Sequence, residues 1–119
     1  MLPSNIELLM HIYDETEFIL ASTDRKERET VIEDAILSRA IIRSLEIIGE
    51  AAAKLNPAFK ARYPHIEWRK ITNTRNRLIH DYFGVDYEIV WDIIVSKIPI
   101  LNKSVFNIIE ELKSDNCEG

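Results

Sequence analysis

The run "LEIIGEAAAKL", Leu45–Leu55, is apolar on most faces of a helix, with Gly49 and Ala51 to Ala53 allowing neighbours to come close. A helix apolar nearly all round must be buried from more than one side. It is either the central helix of a bundle or a central helix that also meets a second subunit. Upstream, no proline interrupts Val31 to Leu55, and Thr30 with Glu33 forms a capping-box pattern just before it. One long second helix is therefore expected, closed by Pro57.

Working outward, Ser4 with Glu7 makes a first capping box, and Ile6, Leu9, Met10, Tyr13 and Leu20 recur at roughly helical spacing. The first helix is expected to end near Ala21. "STDRKERET" lacks apolar periodicity and reads as a solvated linker or polar first turn. "NPAFKARYPHIEW" carries Pro57 and Pro64 and reads as a turn with at most a short helix. A third helix is expected from Ile66–Trp68 through "RNRLIHDYFG", ending at Phe83-Gly84-Val85, where glycine suits a left-handed cap. Asp86 then caps "YEIVWDIIVSKI", Pro99 kinks or restarts the chain, and "ILNKSVFNIIEEL" completes the fold. No stretch alternates convincingly as a strand. The expectation is an all-α, antiparallel bundle of four to five helices over residues 1–112, with a polar tail at 113–119.

At 119 residues the chain is most simply one domain. Its formal charge of −5 argues against a surface coated in cations for gripping nucleic acid, so any anion site is local. The single cysteine, Cys117, cannot close an intramolecular disulfide and fits a reducing compartment. The N-terminus lacks a basic leader, and no apolar run reaches membrane-spanning length, so a cytoplasmic protein is expected.

Several chemistries cannot be written. Gly49, Gly84 and Gly119 form neither a P-loop nor a dinucleotide fingerprint. His11, His65 and His80 fall on separate segments, and no zinc pattern exists. Glu46 and Glu50 share a helix face without the Glu-x-x-His pairs of a di-iron bundle, and read as a solvated stripe or partners for nearby arginines. Neither a metal nor a cofactor is expected.

One segment stands apart. Between Glu67 and Asp81 the chain carries Arg69, Lys70, Arg75 and Arg77 and no acidic residue. Phosphates are drawn to such a segment, and a guanidinium fork holds two oxygens at once. The plainer reading is a solvated face paired with carboxylates elsewhere. On an ideal helix Arg75 and Tyr82 stand about 20° apart and Asn76 and His80 about 40° apart, whereas Arg75 and His80 stand about 140° apart. For Arg75 and His80 to share a site, either the helix unwinds near His80 or another chain completes the site. An unperturbed histidine has a pKa near neutrality, which suits His80 to moving a proton, and a nearby arginine stabilises charge growing on a phosphate. Those functions suffice for metal-free RNA cleavage, in which the ribose 2′-hydroxyl is the nucleophile.

"RNRLIHDY" fits the Arg-x-x-x-x-His-x-Tyr signature, with Arg75, His80 and Tyr82 in its fixed places. With "RSLEIIGEAAAKL", "IEWRKI" and "FGVDYEIVWDII" around it, the chain resembles the HepT-like branch of the HEPN-domain proteins over nearly its whole length. Ser44 departs from the asparagine often found before the Leu-Glu-Ile-Ile-Gly-Glu stretch. The resemblance implies an all-helical homodimer with Arg75 and His80 lining a cleft between subunits. It implies a metal-independent endoribonuclease toxin leaving a 2′,3′-cyclic phosphate and a 5′-hydroxyl. It also implies a partner, a minimal nucleotidyltransferase antitoxin (MntA-like), that silences the toxin by moving AMP from ATP onto Tyr82. By position, Arg75 stabilises the phosphate, His80 is the general acid/base, Asn76 orients the substrate or His80, and Arg77 adds an RNA contact. Two rivals remain: a non-catalytic helical module that docks a nucleotidyltransferase, and a plain structural bundle.

Overall fold

The computed structural model describes residues 3–81 and 84–118, and gives the backbone alone for 75, 79–81 and 116–118. The chain folds as an all-α bundle. Its first helix, α1, spans Asn5–Thr23 and starts where expected, with the Ser4 hydroxyl accepting from the Glu7 backbone N–H at 3.2 Å. The single long second helix is in fact two. A short α2, Arg28–Glu33, ends at Asp34, and α3 runs over Ala35–Lys54. Asp34, not Thr30, is the cap of the long helix: its carboxylate accepts from the N–H groups of Ile36 (3.0 Å) and Leu37 (2.9 Å). Thr30 lies exposed inside α2.

The helix expected to be apolar on most faces is covered within one chain. α3 packs against α1 on one side and against α5 (Trp68–Thr72) and α6 (Thr74–Leu78) on another. Ile41, Leu45, Ile48 and Ala52 are buried there. Each of the buried isoleucine and leucine side chains contributes roughly 1.5–3 kcal/mol. The central-bundle reading therefore accounts for its character without a second subunit.

Pro57 closes this part as expected, Asn56 capping the short α4, Pro57–Ala61. Tyr63, Ile66 and Trp68 then turn inward. The buried Trp68 indole N–H donates to the Tyr63 carbonyl at 3.1 Å and so fixes the chain's entry into α5.

The third helix is where the structure departs most from the periodicity. It breaks at Asn73, and α6 ends at Leu78 rather than at residue 83. Ile79–Asp81 is extended as β1 and pairs antiparallel with β2, Gly84–Val85. The Asp86 N–H donates to the Leu78 carbonyl at 2.7 Å, which completes the return. Gly84 has a positive φ of 120°. It thus uses the freedom expected of it, as the first residue of β2 rather than as a helix cap.

After Asp86, whose carboxylate accepts from the N–H groups of Glu88 and Ile89, come α7 (Tyr87–Asp92) and a π-helical turn, Ile93–Lys97. α8 follows over Ile98–Glu118, reaching into the stretch read as a polar tail. Proline has no N–H to give the preceding turn. The chain absorbs Pro99 by widening that turn, with the Ile98 N–H donating to the Ile93 carbonyl. α8 returns along α1, where the Asn102 amide donates to the buried Thr16 hydroxyl at 3.0 Å. Among the described residues, no helix is long and apolar enough to cross a membrane.

Candidate functional site

The basic segment lies on α5 and α6, held against α3 by close backbone packing. A Cβ built on Gly49 would stand 3.2 Å from the Ile71 carbonyl oxygen, so any side chain there would press α5 back by a few tenths of an ångström. The step from α5 to α6 is tied by the Thr74 hydroxyl, which donates to the Lys70 carbonyl at 3.0 Å. Thr74 is buried, while Arg69, Lys70, Asn76 and Arg77 are exposed.

The plainer reading, in which these cations are spoken for by carboxylates, holds for part of the segment. Lys70 meets Glu67 at 2.8 Å, and Lys97 from the π turn meets the same carboxylate at 3.3 Å. Hydrogen bonding from Lys70, then from Lys97, holds the Glu67 carboxyl below its ordinary pKa. Among the described residues, Arg69 and Arg77 lie within ion-pair distance of no carboxylate. Glu46 and Glu50 fall where expected, beside Arg43, at 4.0 and 3.7 Å.

The backbone positions of the predicted pair are informative. Arg75 is the second residue of α6, and His80 is the middle residue of β1. Between them the helix stops at Leu78. The 140° separation belonged to one rigid cylinder, and no such cylinder joins them. Of the two ways that Arg75 and His80 could share a site, unwinding of the helix is present. Tyr82, the expected attachment point for AMP, lies outside the described residues.

Sequence reasoning missed Lys97. It lies thirty residues downstream of Glu67 and reaches it because the π turn lies beside α5. His65, one of the separate histidines, stacks edge-on against Tyr63 at 6.4 Å between ring centroids. Among the described residues, no three His, Cys, Asp or Glu side chains are grouped to hold a metal.

A family model described as "Ribonuclease HepT-like" matches residues 12–108. "Putative RNase TTE0752" of Caldanaerobacter subterraneus is 41% identical over 105 residues, covering 88% of this chain and 94% of that protein. "Putative RNase MJ0127" of Methanocaldococcus jannaschii is 35% identical over 108 residues, covering 91% and 89%. "Probable ribonuclease HepT" of Thermococcus cleftensis is 42% identical over 78 residues, covering 62% and 71%. No solved structure matches the chain.

Proposed function

The chain belongs to the ribonuclease HepT-like family and is an endoribonuclease by that membership; on this premise we propose that it is a metal-independent toxin whose site is built on Arg75 and His80. The observation that carries the reading is the end of α6 at Leu78, which places Arg75 on a helix and His80 on an extended return. The exposed cations Arg69 and Arg77 on the same segment support RNA as the ligand.

In this reading the 2′-hydroxyl of the RNA attacks the adjacent phosphorus and the bond to the 5′-oxygen breaks. His80 takes the proton of the 2′-hydroxyl and returns one to the departing 5′-oxygen, and Arg75 stabilises the charge that builds on the non-bridging oxygens. The products are a 2′,3′-cyclic phosphate and a 5′-hydroxyl, and no metal is required. Asn76 orients the substrate or His80, and Arg77 holds a neighbouring phosphate. Two copies pair so that the site lies at their junction.

The partner is a minimal nucleotidyltransferase of the MntA kind. It silences the toxin when the Tyr82 oxygen attacks the α-phosphorus of ATP and pyrophosphate leaves. The attached AMP adds charge and bulk beside the site and keeps RNA out. Mass spectrometry after incubation with the transferase and ATP tests this. A Tyr82→Phe protein modified as readily as the wild type would overturn the assignment. For cleavage, the test is pure protein with RNA in EDTA beside a His80→Ala variant. An inactive unmodified wild type, or equal cleavage by both, rejects the reading.

A further inference from the structure

A cleft of about 160 Å³ opens between α3, α5, α6 and the π turn with α8. Its floor is aliphatic, with Leu45, Ile48 and Leu101 buried in it. Its mouth is cationic, formed by Lys70, Arg77 and Lys97. Among the described residues lining it, the one carboxylate is Glu67, clasped between the two lysines. The π turn, a geometry that recurs at functional sites, supplies Lys97 to the mouth.

These features select the occupant. A simple anion would satisfy the cations and leave the aliphatic floor unused, and an apolar molecule would do the reverse. A nucleotide carries both a flat, weakly polar base and a phosphate. A second copy of the chain fits less well, since a two-fold contact sets a patch against itself and would bring like charges together. The cleft also adjoins the proposed centre of cleavage. Thr74 and Arg77 line it from α6, the same five-residue helix that carries Arg75.

We propose that this cleft is a nucleotide subsite of the ribonuclease. The base next to the cleaved linkage rests on Leu45, Ile48 and Leu101, and Lys70, Arg77 and Lys97 hold the flanking phosphates. This rests on the reading of the chain as a ribonuclease acting at Arg75 and His80. While the cleft is empty, Glu67 serves as the anion for both lysines, and an incoming phosphate displaces it. Glu67 thereby sets how strongly a strand must bind before it is seated.

Binding is measured by fluorescence anisotropy in EDTA over a range of salt, using a short RNA with 2′-O-methyl at every position so that it cannot be cleaved. Lys97→Ala and Lys70→Ala each weaken binding roughly tenfold. Each also lowers the salt slope by about 0.7, the value for one phosphate contact on a single strand. Glu67→Gln tightens binding several-fold, and a strand with abasic positions binds the wild type several-fold more weakly than the intact strand. Unchanged affinity and slope in Lys97→Ala, or equal binding of the abasic strand, overturns the proposal. So does a change of sedimentation mass in Lys97→Ala with RNA affinity intact, which would make the cleft a contact between copies. Cleavage of ordinary RNA, assayed in parallel, separates the two readings. Active wild type with no effect of the lysines on binding removes the subsite alone. Inactive wild type with lysine-dependent binding removes the nuclease site and leaves the cleft as an RNA-binding site.

Discussion

Glu67 and Lys97 are joined at 3.3 Å across thirty residues of chain, tying the start of α5 to the π turn that precedes α8. With Lys70 at 2.8 Å on the same carboxylate, this pair closes one edge of the segment that carries the signature. It has a consequence for pH. Lys70 and Lys97 depress the Glu67 pKa, so folding favours the charged form. The resulting stability is fully present above the ordinary glutamate range and is lost as pH falls through the depressed value. Melting temperature between pH 7 and pH 5 is therefore expected to be the same for wild type and Glu67→Gln, relative to each protein's own pH 7 value. Below about pH 4, the ordinary glutamate range, the wild type should lose more than the variant. Parallel curves down to pH 3 would show that the pair contributes nothing.

Gly49 governs how closely α5 approaches α3. Alanine suits a helix interior better than glycine by about 1 kcal/mol. Here its methyl would press on the Ile71 carbonyl, a backbone atom that can yield only by moving α5. Overpacking of this kind costs about 1–3 kcal/mol. Gly49→Ala is expected to lose about 1 kcal/mol net in denaturant unfolding, with RNA cleavage falling further than stability does. A more stable, fully active variant would contradict the close approach.

Asp34 stands at the break between α2 and α3 and accepts from two N–H groups. Asp34→Ala should cost about 1 kcal/mol, read as a lower melting temperature with cleavage per folded molecule unchanged. Thr30→Ala, at the position where the sequence pattern alone suggested a cap, should change stability little, because Thr30 is exposed within α2.

These residues also show what was legible in the chain. The Ser4 and Asp86 caps, the closure of the long helix before Pro57, and the central place of "LEIIGEAAAKL" all follow from local rules, and local rules prevail there. The break at Asp34 was hidden because Thr30-x-x-Glu33 satisfies the same capping rule four residues earlier. The end of α6 at Leu78 was hidden because apolar periodicity continues past it. What ends the helix is the hydrogen bond from the Asp86 N–H to the Leu78 carbonyl together with pairing of Ile79 and Val85. Neither contact can be read from helical spacing. Arg75 and His80 stand out in the sequence through the acid-free segment and the signature, whereas Lys97 carries no local mark and enters only through the packing of the π turn beside α5.

In the proposed chemistry, Arg75 and His80 cleave RNA through its own 2′-hydroxyl. The most direct test is the mass of the fragments left when unmodified protein acts on a defined RNA in EDTA. The expected products are a 5′ fragment ending in a 2′,3′-cyclic phosphate and a 3′ fragment beginning with a 5′-hydroxyl. Arg75→Ala and His80→Ala are each expected to form them at least about a hundredfold more slowly, while folding as the wild type does. A 5′-phosphate on the downstream fragment, or undiminished cleavage by either variant, would contradict this chemistry.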